Sequence, residues 1–289
     1  MPNKQSMLLG ALFCLFFSHA AVAADTKAAH ADLTAAQIAE KNVAARGGLR
    51  AWRAVQSMAW SGKMDAGGGS IERSRKISQG RRGRGSKMQL TDAKETATTQ
   101  ANKQTQLPFI LDMERPRKSR VEIEFAGKTA VQVFDGTNGW KVRPFLNRND
   151  VEPFTAAELK SEAGRGELDG PLVDYAAKGT KVELEAVEPV ERRDAYKLKL
   201  TAKTGDVQHV WIDKETFLDV KIDGAPRRMD GKMRNVWVYQ RDFRSVQGVM
   251  VPFTLETVVD GYHETHKMLI EKVEVNPKLD DALFAKPQA

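Results

Sequence analysis

Chemistry needs groups that move protons, hold metals or grip phosphates, and the sequence offers few places to find them. The run "GRRGRGSK" (Gly80–Lys87) is rich in glycine and cations, like a phosphate loop. It lacks the G-x-x-x-x-G-K-[ST] spacing and leads into no helix whose amides could face a phosphate. The pair in "HETH" (His263–His266) stands three residues apart, which on a strand sends the two imidazoles to opposite faces. His30 and His209 are isolated, and a zinc site needs three or four converging ligands, so no metal is expected. Carboxylates crowd turns such as "DKET" and "LDDALF" without an apolar pocket that would raise their pKa. No serine sits in a nucleophile elbow. These residues point away from an enzyme, and no cofactor is expected.

What remains is the chemistry of apolar contact. The stretch "AVQVFDGTNGWKVRPF" (Ala130–Phe145) alternates apolar and polar residues around two glycines, the pattern of a β-hairpin. Val131, Val133, Phe134, Trp140 and Val142 then either fill a sheet core or line a space for something else. Alternation alone does not separate the two.

The elements that would position them are mostly strands. A helical entry, "LTAAQIAEKNVAARGG", has Thr34 as cap and Gln37 as its capping-box partner. Leu33 and Ile38 stand in the staple positions, Gly47 ends the helix, and Ala36, Ala39 and Val43 form a thin apolar stripe. "LRAWRAV" adds a turn carrying Trp52. From Met58 the period changes from 3.6 to 2, and alternating runs recur to Val275 with turn signals between them. Roughly eleven strands are expected, mainly β with a few helices, in antiparallel meander order. So many strands favour a strongly curved sheet or incomplete barrel with helices over its open mouth. A second helix, "FTAAELKSEAG", repeats the capping logic with Thr155, Glu158, Phe154 and Leu159.

The amino-terminal residues predict export. Lys4 precedes an apolar run from Met7 to Phe17 that is too short to span a bilayer, and "AVA" (Ala21–Ala23) fits a signal-peptidase site. A leader over 1–23 and one domain over 24–289 are expected, in the periplasm. Cys14, the single cysteine, would leave with the leader, so stability must come without disulfides. Loss of the leader leaves 44 basic against 38 acidic residues. Outside the inner membrane that surplus suits lipid headgroups or a soluble surface rather than nucleic acid. Much of it lies in an insertion at 67–106, which is expected to be partly mobile. Arg73, Arg75, Arg81, Arg82, Arg84 and Lys87 are its candidates for contact with an anionic surface.

At "RPRKSRVEIEFAGKTAVQVFDGTNGWKVRPF", "EPFTAAELK", "DGPLVDYAAKG" and "VEVNPKLDDALFAKP" the chain resembles the LolA-like outer-membrane lipoprotein-sorting family. The resemblance runs from "IAEKNVAARGGLRAWRAV" to the end and is poor across 67–106. It implies an unclosed antiparallel barrel whose concave apolar face holds acyl chains. It also implies a carrier of lipid or acylated lipoprotein, with a membrane-bound donor or acceptor as partner. A regulator or scaffold of the same fold, sensing lipidated ligands or docking on a partner protein, is the alternative. On the carrier reading Met58, Trp60, Met64, Phe109, Leu111, Met113, Phe134 and Trp140 line the hydrophobic cavity, and Ala36, Ala39 and Val43 belong to a lid helix.

Overall fold

A computed structural model describes residues 33–66, 105–144, 148–164 and 168–288. The proposed leader and the basic residues from Arg73 to Lys87 lie outside the described residues.

Among the described residues thirteen strands form one antiparallel sheet. The first meander contains β1 (Ser57–Ala66), β2 (Thr105–Glu114), β3 (Lys118–Phe125), β4 (Lys128–Phe134), β5 (Gly139–Arg143) and β6 (Arg148–Pro153). The second contains β7 (Lys181–Val190), β8 (Arg193–Thr201), β9 (Val207–Asp213), β10 (Asp219–Met229), β11 (Lys232–Val246), β12 (Val249–Val259) and β13 (His266–Val275). They join where β1 pairs with β13, so β6 and β7 are the two free edges and the sheet does not close. The eleven expected runs leave out β5, the second arm of the hairpin expected over Ala130–Phe145, and β6. β5 is five residues long with Lys141 at its centre, and β6, "RNDVEP", is a polar edge strand ending at a proline.

Among the described residues three helices lie on one face of this sheet. In α1 (Ala35–Ala45) the Thr34 hydroxyl accepts from the Gln37 amide at 3.2 Å and the Gln37 side chain accepts from the Thr34 amide at 2.9 Å, completing the expected capping box. Ile38 and Ala39 are buried against Leu198, Leu200, Val210 and Ile212 of β8 and β9. The short α2 (Leu49–Ala54) buries Trp52 against the middle of the sheet. Between them Gly47, at φ 109°, passes so near the β11–β12 turn that a Cβ would stand 2.1 Å from the Gly248 carbonyl oxygen. At the far end α3 (Ala156–Gly164) is capped by the reciprocal Thr155–Glu158 pair. Phe154, just before it, packs over Gly139.

Among the described residues the opposite face is covered only near β3, where a short 3₁₀ turn (Asp281–Phe284) lies. There Arg120 donates to the Leu283 carbonyl at 3.0 Å. Among the described residues no helix is long and apolar enough to cross a membrane.

Candidate functional site

The strand register decides which apolar residues meet. Across β1 and β2, Met58 faces Met113, Trp60 faces Leu111 and Met64 faces Leu107, while Phe109 lies opposite Gly62. Across β1 and β13, the same residues face Val275, Val273 and Met268, with Ile270 at Gly62. The ladder skips a residue at Ser61/Gly62, where a Cβ on Gly62 would stand 2.0 Å from the Leu269 carbonyl oxygen. Met58, Trp60, Met64, Phe109, Leu111 and Met113 therefore form one cluster with Trp52 and Val55 on the helix-covered face. Met58 and Phe109 are buried, whereas Trp60, Met64, Leu111 and Met113 are half-buried. The buried indole N–H of Trp60 meets no acceptor among the described residues.

Phe134 shares this face, since it pairs with Ser119, which pairs with Met113. Trp140 does not. It pairs with Val133, one residue out of phase with Phe134, and so lies on the open face. Val133 and Phe134 are adjacent apolar residues, and alternation could not say which of them continues into Trp140 across the turn. The lid stripe also shifts. Ala39 is buried and Val43 packs beside Trp52, but Ala36 points to solvent, and Ile38 supplies the large anchor.

The helix-covered face is filled rather than hollow among the described residues. A recess beside α3, lined by Ser119, Val121, Gln132, Phe134, Phe154 and Glu162, has no room even for a water-sized guest. Small-molecule sites usually span about 300–1,000 Å³. The expected cavity is thus not open in this state.

A buried polar network ties the helices to the sheet. Asp169, 2% exposed, receives Arg115 and Lys178, each at 2.8 Å. Arg46 donates to the Asp169 carbonyl at 2.8 Å and pairs with Asp219 at 3.4 Å. Its own carbonyl accepts from the Trp52 indole and the Met250 amide, both at 2.9 Å. Asn42 donates to the Phe217 carbonyl at 2.8 Å and to Asp219 at 3.3 Å, while its buried Oδ1 has no partner among the described residues. Outside this network Arg53 grips Asp174 with two bonds of 2.9 and 2.6 Å, and this contact holds the Asp174 carboxyl below the ordinary range. These residues lie in "NVAARGG", "RPRKSR" and "DGPLVDYAAKG". Arginine beside an acid-glycine turn was the available signal for the pairing, but only the fold brings 46, 115 and 169 together. Such a network positions helices. Among the described residues no three of His, Cys, Asp and Glu converge on a metal-sized site.

A family model described only as "-like: Uncharacterized protein" matches residues 173–288. No curated protein matches the chain. Among solved structures, the chain is similar to a LolA superfamily protein from Nitrosomonas europaea at 14% identity and a TM-score of 0.51, covering 88% of this chain and 98% of that one. A DUF1329 family protein from Desulfovibrio piger gives 13% and 0.54 over 87% and 97% of the two chains. An outer membrane lipoprotein-sorting protein domain from Vibrio parahaemolyticus gives 12% and 0.51 over 87% and 96%. At these identities the likeness is one of fold.

Proposed function

From the fold shared with LolA-superfamily structures, we propose that this protein is a periplasmic carrier of lipid or acylated lipoprotein. Acyl chains would lie on the helix-covered face of the sheet. The observation that carries this reading is the half-buried stripe of Trp60, Met64, Leu111 and Met113, continued by Met268 and Leu255. Methionines and aromatics at a margin that the helices leave half-buried suit a flexible apolar ligand better than a finished core.

Because the face is packed, loading requires the helices to move. Burying an acyl chain yields ~0.8 kcal/mol per CH₂, so a long chain supplies on the order of 10 kcal/mol before ordering costs. Lifting α1 exposes chiefly Ile38 and Ala39, about 2–4 kcal/mol, and breaks the Asn42 and Arg46 contacts with Asp219. The ligand term exceeds the apolar cost of opening. Asn42, whose Oδ1 has no partner among the described residues, sits in the part of the latch that gives most easily.

The experiment is a lipophilic fluorescent probe titrated into the mature protein, with a long-chain fatty acid as competitor and mass spectrometry of co-purified lipid. Micromolar or tighter probe binding with competition is expected. Asp219→Asn, which loosens the latch, should bind the probe more tightly. A folded sample that retains no lipid and binds no probe in either form overturns the carrier reading.

A further inference from the structure

The three helices hold the sheet unequally. α1 buries Ile38, Ala39 and Asn42, and α2 buries Trp52. In α3 no described residue is fully buried. Phe154 packs over Gly139 at its start, and Lys160 meets Asp206 at 3.8 Å on the surface. Its contact with a buried charge is Glu158, whose carboxylate accepts from Lys141 at 2.5 Å while also accepting from the Thr155 amide. That ion pair is lopsided, with the lysine side chain 8% exposed and the glutamate side chain 39%. When α3 lifts and an apolar chain takes its place, the carboxylate returns to water. The ammonium is left against the chain.

Strand register puts Lys141 at the end of the apolar stripe. One row of directly opposed residues crosses the covered face as Trp60, Leu111, Val121, Gln132 and Lys141. It spans four strand spacings, about 19 Å along the sheet, the reach of a long acyl chain. Phe134 and Phe154 stand beside Val121 and Gln132 in the recess under α3. Arg143, two residues beyond Lys141 on the same face, donates at 2.6 Å to Glu152, the residue opposite Lys141. Its buried Nε meets no acceptor among the described residues. Two cations thus close the apolar row, one held by a carboxylate that can leave and the other with a donor unused.

We propose that Lys141, with Arg143 beside it, receives the anionic head of an acyl lipid, a carboxylate or a phosphate, while the tail lies along the row toward Trp60. Glu158 holds the place of that head until the lipid arrives. A neutral ester or alcohol that displaced α3 would strand the ammonium against hydrocarbon, so the site selects against it. This rests on the carrier reading and narrows it from acyl chains in general to acidic lipids.

The test is displacement of the fluorescent probe from the mature chain by palmitate, hexadecyl phosphate and hexadecanol, whose tails are equal in length. Either anion should bind at least tenfold more tightly than the alcohol, about 1.4 kcal/mol, and the tighter of the two identifies the head. Lys141→Met keeps the stem and should erase that preference. Glu158→Gln should tighten both anions several-fold with the preference kept, because no carboxylate has to leave. Glutamine can hold the α3 cap, as Gln37 does in α1. If Lys141→Met folds poorly, the same change combined with Glu158→Gln strands no charge under the helix and should erase the preference equally. Equal displacement by anions and alcohol in wild type, or a preference that survives loss of Lys141, overturns the proposal and leaves the carrier reading standing. Displacement by inorganic phosphate equal to that by hexadecyl phosphate also overturns it, because the tail then contributes nothing. A folded protein that binds neither the probe nor any of the three overturns the carrier reading, and this proposal with it.

Discussion

Phe109 and Ile110 are neighbours in the chain and opposites in environment. Phe109 is 2% exposed under the helices, whereas Ile110 is 43% exposed on the other side of the same strand. The contrast extends over the whole sheet. The helix-covered face carries two large apolar clusters locked by a few buried charges around Asp169 and Asp219. The open face is knit by long charged side chains lying over rings. One row of directly opposed residues crosses six strands there as Lys197, Trp211, Lys221, Tyr239, Glu256 and Lys267. Trp211 is only 3% exposed although none of the described helices covers it. The stems of Lys197 and Lys221, with ammonium groups 5.6 and 4.1 Å from its ring, do the covering. A sheet can thus bury an aromatic by importing a layer or by folding down its own lysines. The first method yields a surface that a ligand can compete for, and the second one that stays wet.

The largest effect expected lies in the buried network. Asp169→Ala leaves Arg115 and Lys178 without their carboxylate in a closed setting, and losing one partner of a buried ion pair costs about 3–5 kcal/mol. Urea unfolding should show that loss. A loss below about 1 kcal/mol, the range of exposed pairs, would erase the distinction between the faces.

The neighbours sharpen it next. Phe109→Ala should cost about 3–5 kcal/mol through the cavity it leaves, while Ile110→Ala should stay below about 1 kcal/mol. Equal costs would mean that the open face carries a cover in solution.

This pair also marks how far the sequence could be read. Period-2 runs, both capping boxes and the turn signals between the runs are local patterns, and they fix strands, helix starts and the mainly β class. Which alternate set faces the helices is also local where the pattern is clean, as for Met58, Trp60 and Met64. It fails at Val133–Phe134, where two apolar residues adjoin and the turn geometry alone assigns Trp140 to the open face. It fails for Ala36 because its stripe omitted Ile38, the residue that sets which way α1 rolls. The Asp169 hub was beyond reach, since its partners come from positions 46, 115 and 178 and no period connects them. Filled core against cavity was equally beyond reach, because packing depends on side chains from separate strands.

A third test uses acid. The Arg53 bonds hold Asp174 below the ordinary carboxylate pKa, mainly by hydrogen bonding and then by charge. Such a group contributes stability above its unfolded pKa, and that contribution is lost as pH falls through the lowered folded value. In Arg53→Ala that contribution is missing at neutral pH, so stability there should fall, though only slightly because the pair is solvent-screened. The acid unfolding midpoint should move slightly to higher pH, with the two proteins converging at the lowest pH. Near-UV circular dichroism during acid titration measures the shift. An unmoved midpoint would place the 168–179 segment's hold on α2 in the Asp169 network alone.

The smallest effect expected is on the open face and turns on sign. Burial lowers the Lys221 pKa from 10.5, Glu188 and Asp223 oppose that shift, and Lys197 adds to it. Its ammonium also lies 4.1 Å from Trp211, 4.8 Å from Trp237 and 5.8 Å from Tyr239. Ring contacts favour the cation by about 0.5–2 kcal/mol, while desolvation disfavours it. With desolvation ahead, the folded protein carries a penalty while the lysine is charged in both states. It sheds that penalty as pH rises through the folded pKa toward the unfolded one. Lys221→Met keeps a stem over Trp211 and removes the charge, so neutral stability should change by less than about 1 kcal/mol. Wild type should then gain on the variant as pH approaches about 10, near the ordinary lysine value. Urea midpoints of both proteins across that range give the answer. If wild type instead loses ground as pH rises, the three rings outweigh burial, and the row from Lys197 to Lys267 is held by its cations rather than in spite of them.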